Sequence, residues 1–210
     1  SRLMGKLKKP FVVIIGGLKL STKMPLMKAL LPLCDTMCVG GAMATTIQAA
    51  MGVPIGKSFV DRSIFAQAKI LAKQKKILLP FDVRVTERIH EQMVLQTKTC
   101  DALSSKDHIV DIGPKTLTEW GKKIAASKMV LWNGPVGITE YPASGFGSRG
   151  IARMIALHAK GRAFGFVGGG DLISLIFETH TQNKFDFVST GGGAMLEFLS
   201  LKGKLPGLLP

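Results

Sequence analysis

The sequence predicts an α/β fold in which a parallel β-sheet is flanked by helices on both faces, as in a Rossmann-like three-layer sandwich. Short apolar runs alternate with helical segments along the 210 residues, and glycine turns follow the apolar runs. A strand that is covered on both faces has a continuous apolar sequence, and alternating strands and helices build a parallel sheet. The glycine turns are therefore expected together at the carboxyl edge of the sheet, where such folds bind ligands.

The first half of the chain supplies the first part of this alternation. The apolar run at 11–15 leads into Gly16-Gly17, and the run at 36–39 leads into Gly40-Gly41. Strands are predicted at residues 11–15, 36–39 and 77–80, an extended segment at 82–85, and helices at about 24–31, 43–51 and 65–76.

The second half continues the pattern after a polar stretch at 90–107, which we expect to be an irregular surface excursion. A turn at 111–115 should open a helix that reaches residue 127. Strands are predicted at 129–132, 164–167 and 185–188, and helices at 151–160, 172–178 and 194–201.

Composition limits the class of protein. Hydrophobic residues make up 46% of the chain, which suits a compact core. No apolar run reaches the roughly 20 residues that a membrane-spanning helix needs, and the N-terminal lysines precede a strand-like run without a signal-peptide cleavage pattern. We therefore expect a cytoplasmic protein with no membrane partner.

The formal charge of +14 admits nucleic acid as a partner. The lysines and arginines are scattered, however, and the chain has a single tyrosine, so exposed helix faces account for them and no nucleic acid is expected. Such a charge also attracts small polyanions. Cys34, Cys38 and Cys100 lack the spacing of a zinc site and are expected to be reduced, buried thiols. The four histidines, in separate elements, are expected to be ordinary surface or helix residues.

The segment Gly168-Gly169-Gly170-Asp171 is the most informative of the glycine turns. Glycines allow close approach to an anion, and the helix that follows offers unpaired N–H groups. An acid at such a turn suits a Mg²⁺ ion held between the carboxylate and phosphates. The alternative is a tight strand–helix turn without a ligand. Ser189 to Gly193 repeats the pattern, and together with the two earlier junctions it favours a phosphate-bearing ligand.

Eight motifs in one order give the chain a family resemblance. From about Lys9 to Pro206 it resembles the C-terminal, nucleotide-binding half of phosphoglycerate kinase. The motifs are Gly16 to Lys23, Gly40 to Ala44, Gly56 to Ser58, Leu79 to Val83, Asp111 to Thr116, Trp132 to Gly137, Gly168 to Asp171 and Ser189 to Ala194.

The resemblance implies reversible phosphoryl transfer between 1,3-bisphosphoglycerate and ADP in glycolysis, with Mg²⁺ and ATP or ADP bound. Lys19 and Lys23 match lysines that contact the nucleotide phosphates and the transferred group, and Asp171 matches the Mg²⁺ ligand. Gly191, Gly192 and Gly193 match a helix start aimed at the migrating phosphoryl group. Glu140 matches the carboxylate on the ribose hydroxyls. The remaining implied nucleotide contacts are Gly17, Leu18, Gly41, Ala42, Asn133, Pro135, Val136, Gly169, Gly170 and Leu172.

The chain departs from the family pattern at Leu18, Ala42, Thr139 and Leu172. Leu18 and Ala42 would narrow the nucleotide pocket. Leu172 replaces a hydroxyl residue that would help to hold phosphate, and it either turns inward against Ile176 or belongs to a pocket that has become apolar core.

The resemblance implies that residues 1–210 are one nucleotide-binding domain, with no residues that correspond to the family's N-terminal phosphoglycerate-binding domain. We therefore expect a monomer that binds adenine nucleotide, meets phosphoglycerate only through the missing domain, and does not turn over alone. The alternative is a catalytically inactive phosphoglycerate-kinase-like module that serves in binding or assembly.

Overall fold

Two β-sheets organise the part of the chain that the computed structural model describes, residues 7–159 and 161–189. The larger is a six-stranded parallel sheet of order β3-β2-β1-β7-β8-β9, and the smaller is an antiparallel sheet of order β5-β4-β6. In chain order the strands are β1 (Phe11–Ile15), β2 (Thr36–Val39), β3 (Ile77–Leu78), β4 (Asp82–Thr86), β5 (Gln96–Thr99), β6 (His108–Ile112), β7 (Met129–Asn133), β8 (Phe164–Gly168) and β9 (Phe187–Ser189).

Helices cover both faces of the parallel sheet, which confirms the predicted fold class. Those in the described ranges are α1 (Leu20–Leu30), α2 (Gly41–Ala50), α3 (Phe65–Ala72), α4 (Pro114–Ala126), α5 (Phe146–His158) and α6 (Gly170–Glu178). Alternate residues of β1 point to opposite faces, so Val13 and Ile15 join the core under α1 and α2, and Val12 and Ile14 join the core under α4, α5 and α6.

The strand register places the glycine turns side by side. Ile15 pairs with Val39 on one side and with Asn133 on the other, Asn133 pairs with Gly168, and Gly168 pairs with Ser189. Parallel strands that end in one row deliver their following loops to one edge of the sheet. The predicted clustering of the glycine junctions is therefore confirmed for the described strands.

The antiparallel sheet differs from the sequence prediction. Residues 90–107 were expected to be irregular, but β5 lies within them and pairs with β4. The adjacent strand β6, which was not predicted and overlaps the turn predicted at 111–115, also pairs with β4. This sheet packs on its own small core, which includes Val83, Val85 and Leu103.

Asp82 fastens the antiparallel sheet to α4. Its carboxylate accepts hydrogen bonds from the N–H groups of Lys115, at 3.0 Å, and Thr116, at 2.7 Å, in the first turn of α4. The hydroxyl of Thr116 also donates to the carboxylate, at 2.5 Å. A buried carboxylate at a helix N-terminus satisfies N–H groups that the helix cannot bond itself. Asp82 therefore fixes the position of β4 relative to α4, one of the helices that cover the parallel sheet.

Several predicted boundaries shift. Helix α1 begins at Leu20, α5 at Phe146 and α6 at Gly170, each a few residues earlier than predicted. The predicted helix at 194–201 lies outside the described residues. The three cysteines are free and buried, as expected. No helix within the described ranges is long and apolar enough to cross a bilayer.

Candidate functional site

The loops after β1 and β7 pack backbone against backbone at the centre of the sheet edge. The N–H groups of Gly16 and Gly17 donate to the carbonyls of Asn133, at 2.9 Å, and Pro135, at 2.6 Å. A Cβ on Gly16 would lie 2.0 Å from the Pro135 oxygen, and one on Gly134 would lie 2.4 Å from the Gly16 oxygen. Any side chain at these two positions would force the loops apart, which is the physical reason for glycine there.

The loop after β2 joins the same contact. Gly41 has a φ of +59°, and its N–H donates to the carbonyl of Val136 at 2.9 Å. A Cβ on Gly40 would lie 2.6 Å from the Cβ of Val136. The turns after β1, β2 and β7 thus form one closely packed layer of largely buried peptide groups at the carboxyl edge of the sheet, which we call the glycine floor.

The ammonium group of Lys23 lies against this floor and places a positive charge there. This group donates a hydrogen bond to the side-chain oxygen of Asn133. Burial lowers the pKa of Lys23 from its ordinary value of 10.5, the nearby charge of Asp171 opposes that effect, and the charge of Lys19 adds to it. Lys19, Lys23 and Asp171 therefore influence one another electrostatically, and the predicted phosphate-contacting lysines and the predicted metal ligand are brought together.

Asp171 lies in the first turn of α6, directly after Gly169 and Gly170. Gly169 has a φ of +114°, which side-chain-bearing residues rarely adopt. Asp171 is exposed, and it lines a cleft with a volume of about 410 Å³. Mg²⁺ in phosphate-transfer sites is held by one or two carboxylates together with substrate phosphates. The single carboxylate of Asp171 beside the glycine floor fits that mode. The described residues contain no cluster of three metal-ligating side chains.

The cleft runs from Asp171 along the glycine floor to the antiparallel sheet. Of the residues predicted to contact nucleotide, it brings together Gly17, Leu18, Gly41, Ala42, Pro135, Val136, Glu140 and Asp171. Glu140 is exposed at the wall, where its carboxylate accepts a hydrogen bond from the N–H of Thr139 at 2.8 Å. Leu18 projects with 65% of its surface exposed, so it lies at the mouth of the cleft without filling it.

The wall formed by residues 134–140 is held from behind by β6 and α5. The N–H of Ile138 donates to the carbonyl of Val110 at 2.8 Å, and the N–H of Val136 donates to the hydroxyl of Ser148 at 3.0 Å. The buried carboxylate of Asp111 accepts a hydrogen bond from the N–H of Gly147 at 2.8 Å. These contacts fix the position from which Glu140 faces the cleft.

The side chain of Leu172 is placed away from the cleft, in contrast to the prediction that it contacts nucleotide. It is 0% exposed and lies in the apolar cluster with Ile176, and it does not line the cleft. The helix cap is Gly169, so Leu172 is the third helical residue and not the first. The inward orientation considered for Leu172 is therefore the observed one. Gly191, Gly192 and Gly193 lie outside the described residues.

Several cleft residues were missed from the sequence. Ser58, Phe59, Ile89, His108, Ile109 and Tyr141 also line it. Ser58 closes the Gly56 to Ser58 motif and Phe59 follows it directly, whereas the other four come from loops and from the antiparallel sheet, where no local motif marks them. His108 was expected to be an ordinary surface residue, whereas it contributes to the cleft wall.

Comparisons with known proteins agree with this architecture. The phosphoglycerate kinase family model matches residues 1–204. The phosphoglycerate kinase of Desulfosudis oleivorans is 38% identical over 205 residues, covering 95% of this chain and 51% of that protein. The structure of phosphoglycerate kinase from Coxiella burnetii superposes with a TM-score of 0.86 at 35% identity, covering 94% of this chain and 52% of that one.

The crystal structure of phosphoglycerate kinase from Pyrococcus horikoshii has a TM-score of 0.79 at 22% identity and covers 99% of this chain and 53% of that one, which supports the fold alone. The chain thus spans about half the length of the relatives it matches. Because the family model covers nearly all of the chain, it belongs to the phosphoglycerate kinase family.

Proposed function

We propose that this chain is the nucleotide-binding half of a phosphoglycerate kinase, which moves a phosphoryl group between 1,3-bisphosphoglycerate and ADP to give 3-phosphoglycerate and ATP. The observation that carries the proposal is that Gly17, Gly41 and Asp171 line one cleft, while the side chain of Lys23 lies against Gly17 and Gly134 and interacts with the charge of Asp171. Family membership supports the same reaction. The protein would act in glycolysis, in the cytoplasm and as a monomer.

The cleft has the features that a nucleoside diphosphate requires. Phe59 and Ile89 are exposed in it and offer apolar surface to a base, and Glu140 offers a carboxylate to ribose hydroxyls. Gly17 and Asp171 also line it, and phosphates bound there would lie near Lys23 and the first turn of α6. We assign the base to Phe59 and Ile89, the sugar to Glu140 and the phosphates to the part lined by Gly17 and Asp171.

Phosphoryl transfer depends on positioning and on compensation of negative charge more than on covalent chemistry by the protein. Lys23 is held in place by Asn133 and is partly desolvated, so its charge is poorly screened and acts strongly on a nearby phosphate. Lys19 lies one helical turn before it and adds a second positive charge. Both would stabilise the transferred group and would orient the terminal phosphate.

Asp171 would hold a Mg²⁺ ion together with the nucleotide phosphates. When bound, that ion would supply positive charge that neutralises part of the phosphate charge. Because α6 begins at Gly170, the N–H groups of its first turn lie beside Asp171 and would also be available to the phosphates. Gly191, Gly192 and Gly193, which lie outside the described residues, are proposed to contact the migrating phosphoryl group.

Turnover requires a second, phosphoglycerate-binding domain of the kind implied by the relatives' full length. Two substrates held in line account for roughly 7–11 kcal/mol of barrier reduction in favourable cases. We therefore expect the 210-residue chain to bind Mg·ADP without appreciable kinase turnover alone. Turnover by this chain that survives removal of trace full-length enzyme would contradict that part of the proposal.

The proposal is tested by isothermal titration of the chain with Mg·ADP. We expect saturable binding that is weakened by Lys23→Met and by Glu140→Gln and is unchanged by Lys123→Met, which removes an exposed lysine on α4. Folded protein that gives neither heat nor a thermal shift at millimolar Mg·ADP would exclude nucleotide binding. That result would favour the second candidate, a binding or assembly module without catalysis, for which the leucine at the cleft mouth is the supporting observation.

A further inference from the structure

A second concave surface lies between the C-terminal end of α1 and helix α3, which we call the α1–α3 groove. Its floor is formed by the apolar residues Leu31, Pro32, Ile70 and Leu71, and its volume is about 200 Å³. It is separate from the nucleotide cleft, because the two sites lie at opposite ends of α1, about 15 Å apart for a helix of 11 residues.

The apolar floor is accessible to a partner. Ile70 has 64% of its surface exposed, although it is a large aliphatic side chain in the last turn of α3. A volume of this size accommodates a leucine-sized side chain. Exposed apolar residues around a concavity are typical of sites that bind another molecule. The groove can therefore accommodate one large apolar side chain.

All the charged side chains on the elements that form the groove are positive. Helices α1 and α3 and the turn at 73–76 contain no aspartate or glutamate. Exposed lysines occupy the same elements: Lys28, Lys69, Lys73, Lys75 and Lys76. Of these, Lys28 lines the groove itself.

The nearest carboxylates in the sequence are already engaged. Asp35 accepts hydrogen bonds from the ammonium group of Lys9 and the N–H of Phe11, both at 2.8 Å. Asp61 accepts hydrogen bonds from the N–H and hydroxyl of Ser63. The lysines on α1, on α3 and in the 73–76 turn thus outnumber the carboxylates near them, and the surface favours a negatively charged partner.

One polar atom at the groove also lacks a partner. The side-chain oxygen of Gln67 is buried and accepts no hydrogen bond within the described part of the chain. A buried acceptor without a donor is unfavourable. A peptide segment would bring N–H donors to this side of α3, and a small rearrangement of the Gln67 side chain would pair its oxygen with one of them.

From these observations we infer that the α1–α3 groove is a docking site for an acidic segment of a partner protein that inserts one large apolar side chain. Carboxylates of the segment pair with the lysines of α1, α3 and the following turn, and the apolar side chain covers Ile70 and Leu71. A nucleic acid is the less favoured occupant, because the groove is lined by aliphatic residues without an aromatic side chain on which a base could stack.

The test uses three short fluorescein-labelled peptides with the 210-residue chain. The first surrounds a central leucine with glutamates and aspartates, the second replaces that leucine by serine, and the third replaces the acids by lysines. We expect only the first to bind appreciably, with amide chemical-shift changes that map to residues 28–32 and 67–74. Its affinity should fall as salt is raised, because exposed charges are screened over about 10 Å at 0.1 M ionic strength.

Four variants test whether the peptide binds in the groove or is attracted only by the overall positive charge of the protein. Ile70→Asp and Lys28→Glu should each weaken the acidic leucine peptide by at least about tenfold, as expected for central contacts of an interface. Leu157→Asp changes an 83% exposed leucine on α5, and Lys123→Glu changes an exposed lysine on α4, so both serve as matched controls and should leave binding unchanged. All four variants should retain their melting transition, and Mg·ADP titration reports on the nucleotide cleft independently.

Three results would overturn the inference. The acidic leucine peptide could fail to bind, the serine peptide could bind equally well, or the control variants could lose as much affinity as the groove variants. A single-stranded oligonucleotide that binds through Lys28 and is not displaced by the leucine peptide would assign the surface to nucleic acid and would likewise contradict it.

Discussion

The ammonium group of Lys23 donates a hydrogen bond to the side-chain oxygen of Asn133, which ties the first turns of α1 to the end of β7. Asn133 also accepts a hydrogen bond at its backbone oxygen from the N–H of Gly16, at 2.9 Å. One residue of the central strand thus positions both the glycine floor and the lysine charge above it. The site is consequently preorganised, because the ammonium group of Lys23 is held in position before a ligand binds.

This arrangement makes nucleotide affinity depend on the charge of Lys23. Lys23→Met should weaken Mg·ADP binding by about 1.5–3 kcal/mol, the contribution of a hydrogen bond to a charged group. Because burial lowers the pKa of Lys23 below 10.5, the wild-type affinity should fall with rising pH before an ordinary lysine would lose its proton.

Lys23→Arg provides the matched measurement, because a guanidinium group keeps its charge throughout this range. Dissociation constants for Mg·ADP should be measured between about pH 7 and pH 10 for both proteins. We expect the wild-type affinity to decline and that of Lys23→Arg to stay level. Parallel curves for the two proteins would show that Lys23 is not the titrating group.

The close contact at Gly134 leads to a second prediction. Gly134 and Gly52 share a φ of +83°, but a Cβ on Gly134 would lie 2.4 Å from the Gly16 oxygen, whereas nothing lies within 4 Å of one on Gly52. Gly52→Ala should cost about 1 kcal/mol from backbone strain alone. Gly134→Ala should cost clearly more and should also weaken Mg·ADP. Equal losses in free energy of unfolding, measured by urea denaturation, would contradict the backbone contact.

The sequence predicted the parallel sheet because β1, β7 and β8 are continuous apolar runs that end in glycine or at a glycine turn. It did not predict β5, whose residues Gln96 to Thr99 are polar and mostly exposed. That strand is defined by its pairing with β4, which is a long-range interaction that local pattern does not record. Local propensity and burial therefore determine the first sheet, whereas tertiary pairing determines the second.

The same distinction applies to the site. Glycine turns and charged residues beside them are local signals, so the floor, Lys23 and Asp171 were identified from sequence. Phe59, Ile89 and His108 reach the cleft only through folding of distant segments. Phe59 follows the Gly56 to Ser58 motif, but nothing in the sequence around Ile89 and His108 distinguishes these two residues from other surface residues.

Leu172→Thr is the third prediction, since Leu172 packs in the core with Ile176. The substitution removes buried apolar volume and introduces a hydroxyl among apolar neighbours, so it should destabilise the protein by roughly 2–4 kcal/mol. We expect Mg·ADP affinity to stay unchanged in the folded fraction. Tighter nucleotide binding by this variant, measured well below its melting temperature, would show instead that the side chain reaches the phosphates.

Asp82 supports the fourth prediction. Asp82→Ala leaves the first-turn N–H groups of Lys115 and Thr116 without their acceptor, and it should lower the free energy of unfolding by about 2 kcal/mol or more. Asp101→Ala removes an exposed carboxylate from a 3-10 turn and should cost less than about 0.5 kcal/mol. Similar losses in the two variants, compared by urea denaturation, would mean that the cap contributes little.

Asp111 gives the last prediction, because it is a buried carboxylate at the wall of the cleft. Burial raises the pKa of Asp111 to about 6 from 3.8, although the N–H groups of Gly147 and Ile112 and the charges of Arg84 and Arg149 oppose the rise. The folded protein therefore holds this proton more tightly than the unfolded chain does. The stability from Asp111 is fully present below pH 3.8 and is lost as the pH rises through 6.

Carbon-13 NMR of aspartate-labelled protein measures this directly. The Asp111 carboxyl resonance should titrate with a midpoint near 6. Asp107 is the internal control: burial acts to raise its pKa, but hydrogen bonds from Lys98 and Ser104 outweigh burial, so its midpoint should lie below 3.8. In Asp111→Asn the upper transition should disappear, and the free energy of unfolding should lose its decline between about pH 4 and pH 6. An Asp111 midpoint at or below that of Asp107 would refute the burial argument, because the two carboxylates would then have equally favourable surroundings for their charged forms.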